Sequence, residues 1–152
     1  MKIEELVCDL ELSKKFKEFG INQKSFFYWE VLSDTAYSVS FDIKYMPYSC
    51  PGLERYSAFT SGELFELLPA FIDIKKNEPF NNFYLSLTKR SSENIRYIIN
   101  YSCDTLQFDP GNEIFNSRLM KHNIYDENLS NCLAKMLIYL IENKIIDIKD
   151  LK

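Results

Sequence analysis

Ala36-Tyr37-Ser38-Val39-Ser40-Phe41-Asp42-Ile43-Lys44-Tyr45 alternates between apolar and polar residues along its whole length. Tyr37, Val39, Phe41, Ile43 and Tyr45 share one register, and Ser38, Ser40, Asp42 and Lys44 share the other. Period-two alternation is the signature of a strand with one buried face. Just upstream, Phe26-Phe27-Tyr28-Trp29-Glu30-Val31-Leu32 is rich in the aromatic and β-branched residues that suit a sheet. Only Ser33-Asp34-Thr35 separates the two runs, which is short enough for a hairpin connection. A hairpin makes its strands antiparallel, whereas a parallel pair needs a crossover of a dozen residues or more. The expected fold class is therefore α+β, not a doubly wound parallel sheet.

Other segments extend this reading. Phe83-Tyr84-Leu85-Ser86-Leu87-Thr88 and Ile95-Arg96-Tyr97-Ile98-Ile99-Asn100-Tyr101 form a second hairpin across residues 90–94. Ala70-Phe71-Ile72-Asp73-Ile74 is expected as a short edge strand, and Leu106-Gln107-Phe108 as a further strand. Residues 46–58, with Pro47, Pro51 and Gly52, are expected as a loop. Residues 109–125 show no decisive pattern.

Three helices accompany the strands. Ile3, Leu6, Val7 and Leu10 share one helical face, while Leu12, Phe16 and Phe19 share another, so the apolar stripe breaks near Asp9. Asp9 suits the N-cap of a helix over 10–19. Gly20 suits its left-handed C′ position, with Ile21 packing back on Phe16. Thr60-Ser61-Gly62-Glu63 fits a capping box, with Leu64, Phe65, Leu67 and Leu68 as the apolar face behind it. The last helix, over Leu129 to Asn143, repeats Leu129, Leu133, Met136, Leu137 and Leu140 on one face. Asp126 is its expected cap, with Glu127 in the first turn where the helix dipole favours negative charge. The expected architecture is an antiparallel sheet built from hairpins, with about three helices packed mainly on one face, in a single domain over 1–152.

Composition narrows the functional classes. The chain has 152 residues, of which 46% are hydrophobic and 26% charged, enough for a core without staples. Aromatics reach 15%. The net charge is −4 with signs mixed along the chain, so the basic stripe of a duplex nucleic-acid binder is missing. No apolar run approaches the ~18 residues of a membrane span, and Met1-Lys2-Ile3-Glu4-Glu5 is unlike an export signal. A cytoplasmic location in the cell that makes the chain, with no membrane partner, is the expectation.

The glycines Gly20, Gly52, Gly62 and Gly111 are too far apart for a phosphate-binding loop. The cysteines Cys8, Cys50, Cys103 and Cys132 form no knuckle, and the one histidine, His122, has no second imidazole to share a metal. Four free thiols, no metal site and no cofactor are expected. Asp42-Ile43-Lys44 places a carboxylate and an ammonium on one strand face, the pattern that holds a divalent metal and a phosphate in metal-dependent nucleases. Glu30 stands across the hairpin from them. The same pattern arises on the polar face of any half-solvated sheet. Asp104, Asp109 and Glu113 surround Pro110-Gly111-Asn112 but lack the regular carboxylate ladder of a calcium loop, so a solvated acidic loop is expected.

Two segments carry a resemblance. They are Tyr56-Ser57-Ala58-Phe59-Thr60-Ser61-Gly62-Glu63-Leu64-Phe65-Glu66-Leu67-Leu68-Pro69 and Leu133-Ala134-Lys135-Met136-Leu137-Ile138-Tyr139-Leu140-Ile141-Glu142-Asn143. With Glu4-Glu5-Leu6-Val7-Cys8, they resemble small uncharacterised proteins encoded by bacteriophages and prophages of gut bacteria. The resemblance implies a phage accessory gene and carries over no catalytic or binding residue.

The leading functional expectation is a non-enzymatic protein that binds a host or phage macromolecule, for example to inhibit a host defence protein. Its expected contact surface is the aromatic loop, through Tyr45, Tyr48, Arg55 and Tyr56, since Tyr and Arg are enriched in interface cores. The alternatives are a metal-dependent nuclease or hydrolase using Asp42 and Lys44, and a self-assembling structural subunit.

Overall fold

The computed structural model describes residues 2–33, 36–41, 54–73, 82–92, 95–109, 112–119 and 123–151. The chain divides into two compact units, Met1–Leu68 with Asn128–Lys152, and Pro69–Glu127. The second is inserted in sequence within the first. All described strand pairs are antiparallel, and the fold is α+β.

The first unit holds the three helices and a small sheet. After a 3-10 turn at Ile3–Glu5, α1 runs Leu10–Glu18. Asp9 caps it by accepting from Leu12 N at 2.9 Å. At its far end Gly20 takes φ 79°, Gly20 N donates to Lys17 O and Ile21 N donates to Phe16 O, both at 3.0 Å. These two bonds make the Schellman motif that the Phe16, Gly20, Ile21 spacing predicts. Strand β1 (Phe27–Ser33) pairs with β2 (Ala36–Phe41) on one side and β3 (Glu54–Ser57) on the other. Helix α2 follows at Ser61–Leu67, with the complete Thr60/Glu63 capping box. Helix α3 (Leu129–Glu142) closes the unit and lies against α1 and α2. No described helix is long and apolar enough to cross a membrane.

Alternation along β1 sorts this unit's core. The row Val39–Trp29–Tyr56 faces inward, and Val7, Leu10 and Ala58 complete a buried cluster with Trp29 and Tyr56. The indole Nε1 of Trp29 donates to Cys8 O at 2.9 Å, which satisfies the ring's one polar atom. Phe16 and Phe59 meet edge to face at 5.5 Å. On α3, Leu133, Met136, Leu137 and Leu140 are fully buried.

The second unit is a five-stranded sheet. Its order is β4 (Phe71–Asp73), β5 (Asn82–Ser92), β6 (Ile95–Asp109) and β7 (Asn112–Leu119), with β8 (Ile124–Asp126) also on β6. Ile72, Phe83, Leu85, Tyr101, Leu87, Ile99 and Ile124 share one register face. Among the described residues Tyr101 is its largest buried side chain, and its hydroxyl donates to Pro69 O at 2.7 Å.

Several expectations need correction. There are two sheets, not one. The expected loop at 46–58 becomes strand from Glu54, because β1 has a free ladder edge that these residues pair. Asp126 does not cap α3; it pairs with Tyr97 at the end of β8, and Asn128 accepts from Ser130 N and Asn131 N instead. Phe65 stands on the exposed side of α2, and Leu64 and Leu68 carry the packing. The region around Asp109 and Glu113 is a strand pair, β6 with β7, not an acidic loop.

Candidate functional site

Of the expected contact residues, Arg55 and Tyr56 do not share one surface. Tyr45 and Tyr48 lie outside the described residues, as do Asp42, Lys44 and His122. Arg55 and Tyr56 are neighbours on β3, and successive residues of a strand point to opposite faces. Tyr56 belongs to the core row beside Trp29. Its ring carries the Lys17 ammonium 4.5 Å above it, and its hydroxyl donates to Glu54 Oε2 at 2.9 Å. That hydrogen bond to a carboxylate, followed by burial, raises the phenol's pKa. Arg55 stands on the opposite, solvated face and is paired with Glu30 directly across the ladder. Glu30 thus answers a cross-strand arginine, the ordinary use of charge on a sheet's polar face.

The two described cysteine side chains, Cys8 and Cys132, are buried. Burial, opposed mainly by a hydrogen bond with Ser13, pushes the Cys8 thiol up to about 12. It is a small core hydrophobe and not a nucleophile, since the thiolate is the reactive form. Among the described residues, no group of three or more His, Cys, Asp or Glu is placed to hold a metal ion.

Two other features stand out. The first is the outer face of the second unit's sheet. Phe71 and Tyr84 are directly opposed on β4 and β5, with ring centroids 6.2 Å apart. Two rows away, Tyr125 is opposed to Ile98 on β8 and β6. Phe71 is 53%, Tyr84 57% and Tyr125 47% exposed. Between the aromatic rows lies a polar one, Ser86 opposite Asn100, whose amide Nδ2 donates to Asn123 Oδ1 at 3.1 Å. Thr88 and Ser102 share this face. The same register continues through Asp73 opposite Asn82 and, along β6, through Arg96 and Asp104. The sequence held a signal for this surface. In Phe83-Tyr84-Leu85-Ser86-Leu87-Thr88, an aromatic stands in the polar register, where a solvated face needs none.

The second feature is a cleft of about 400 Å³ in the first unit. Ile21, Phe59, Leu67, Ile148 and Leu151 give it apolar walls, and Lys24 and Glu66 are its charged edges. Glu63 also lines it but is fully engaged. Its carboxylate accepts from Thr60 N, Thr60 Oγ1, Ser25 Oγ and Phe26 N, at 2.7, 2.7, 3.2 and 3.1 Å. A carboxylate so satisfied holds structure in place and has little capacity left for a ligand.

Comparison with protein-family models, with curated proteins and with solved structures finds no match to this chain.

Proposed function

We propose that this chain is a non-enzymatic accessory protein of a phage or mobile element that acts by binding another protein. Its contact surface is the outer face of the second unit's sheet. The phage origin rests on the sequence resemblance alone. The observation that carries the binding role is the exposure of Phe71, Tyr84 and Tyr125 on one face, around the polar row of Ser86 and Asn100. Aromatic anchors set among small polar side chains are typical of interface cores. Rigid rings on strands also lose little entropy on docking.

A protein fits better than a nucleic acid. Single-stranded nucleic acids stack on aromatic sheet faces too, but only where cations track the phosphates. Arg96 shares this register with Asp73 and Asp104, and the chain carries net charge −4.

The test is a double variant, Phe71→Ala with Tyr84→Ala, beside an Arg55→Ala control. A partner recovered by crosslinking in an infected host is purified, and its affinity is measured for all three proteins. The double variant should bind at least about tenfold more weakly, equal to about 1.4 kcal/mol, and the control should bind as wild type. Melting should move little, since such cross-strand pairs contribute about 0.2–1 kcal/mol. Equal affinity for the double variant removes the face from the contact. Tight binding of a single-stranded oligonucleotide, lost in the same variant, replaces the protein partner with a nucleic acid. A concentration-dependent dimer lost in that variant makes the partner a second copy.

A further inference from the structure

The end of α3 is held in an unusual way. Asn143 is the C-cap and Lys144 takes φ 57°, the only positive φ at a non-glycine residue among those described. Lys144 N donates to Ile141 O and Ile145 N to Leu140 O, both at 2.9 Å. These are the two bonds of a Schellman motif, the same device that ends α1. At α1 the left-handed position is Gly20; here it is a lysine, whose Cβ makes that conformation unfavourable.

Beyond this strained residue the chain turns once more, in a 3-10 turn at Ile148–Asp150. The hydrogen bonds shown for the turn close within it. Lys149 N donates to Asp147 Oδ1, Asp150 N to Asp147 O and Leu151 N to Ile148 O. None of the turn's residues is fully buried. Ile148 and Leu151 line the cleft with Ile21, Phe59 and Leu67.

We propose that residues 147–151 are a displaceable strap hinged at Lys144, which closes one wall of the cleft and opens without unfolding α3. Three independent features converge on this. The hinge is strained, so opening relieves an unfavourable φ. The strap's own hydrogen bonds are internal and survive the swing; the bonds given up are the capping ones, Lys144 N to Ile141 O, and Ile145 N and Ile146 N to Leu140 O. The strap's residues Ile148 and Leu151 are only half-buried where they line the cleft, and few buried contacts mark a segment that opens locally. Opening uncovers the apolar wall formed by Ile21, Phe59 and Leu67.

The test is residue-resolved amide hydrogen exchange on the full chain. In the wild type, Lys149, Asp150 and Leu151 should exchange together, at least about a hundredfold faster than Met136 and Leu137 of α3. Lys144→Gly removes the strain and should slow strap exchange by roughly threefold to fivefold. Ile148→Ser with Leu151→Ser should speed it at least about tenfold, leave α3 exchange unchanged, and raise the fluorescence of added 1-anilinonaphthalene-8-sulfonate. The proposal is overturned if strap and α3 amides open at one common rate. It is equally overturned if the double variant accelerates α3 exchange along with the strap, or if Lys144→Gly speeds strap exchange.

Discussion

Trp29 shows how much one side chain ties together in the first unit. It is 4% exposed, sits centrally in the Val39–Trp29–Tyr56 row, and meets Tyr37 edge to face at 5.4 Å. Its Nε1 donor holds the carbonyl of Cys8, the residue that leads into α1. Trp29→Phe keeps an aromatic ring but leaves that carbonyl without this donor. An unsatisfied buried polar group costs about 1–3 kcal/mol, and the lost ring volume adds to it. The expected loss is about 2–4 kcal/mol in chemical denaturation; a loss under about 0.5 kcal/mol would show that the indole bond contributes nothing net. The strand around Trp29 was legible from its aromatic and β-branched run, but the ring's partner was not. Cys8 is 21 residues away, and no local pattern announces the pair. Tyr56 and Arg55 teach the converse. Their adjacency suggests one surface, and only the register of β3 against β1 puts them on opposite faces.

Among the elements, α2 separates local from long-range signals most clearly. Its capping box was readable from Thr60 and Glu63 alone, because the motif needs only the two residues and the spacing between them. The rest of Glu63's role was not readable. Ser25 Oγ and Phe26 N donate to the same carboxylate from 37 or 38 residues upstream, fastening the entry to β1 onto the start of α2. The two halves of the box should therefore differ in cost. Thr60→Ala removes one cap acceptor and should cost about 1 kcal/mol. Glu63→Ala strips a partner from Thr60, Ser25 and Phe26 and should cost about 2–3 kcal/mol, since bonds to charged groups contribute more. Thermal melts of both variants check this, and equal costs would reduce Glu63 to a capping residue. At α3 the cap lies two residues beyond Asp126. A neighbouring strand claims Asp126 for β8, and Asn128 does more than cap. Its Nδ2 also donates to Glu5 O and Val7 O, both at 3.2 Å. Strands β7 and β8 were illegible for a related reason: their pairing partner, β6, supplies the order that residues 109–125 do not encode locally.

On the scale of the molecule, the expected fold class holds, with antiparallel hairpins and three helices. The division into two sheets was not visible, because hairpins specify neighbours and not which hairpins share a ladder. Both units nonetheless carry a buried acid whose ionised form the fold disfavours. Burial raises the Cys8 thiol from 9.0 to about 12, and burial likewise raises Tyr101 well above the usual phenol range. The sign of the resulting pH dependence follows from linkage. Above pH 9 the unfolded chain releases the Cys8 proton while the folded chain keeps it, so the unfolded state binds fewer protons and stability falls as pH rises. The contribution is fully present below pH 9.0 and is lost progressively toward pH 12, by about 1.4 kcal/mol per pH unit from this thiol alone. Tyr101 adds to the decline above pH 10.0, its unperturbed value. Urea denaturation between pH 7 and 11 should show a plateau and then a steepening fall. Cys8→Ala lowers the whole curve through lost packing, but its signature is the slope. The fall between pH 9 and 10, below the onset of Tyr101, should flatten by about 1 kcal/mol per unit. An unchanged slope in Cys8→Ala would mean that the thiol ionises in the folded state as readily as in the unfolded one, and the tight enclosure of Cys8 between Ser13 and the Phe59 backbone would have to be abandoned.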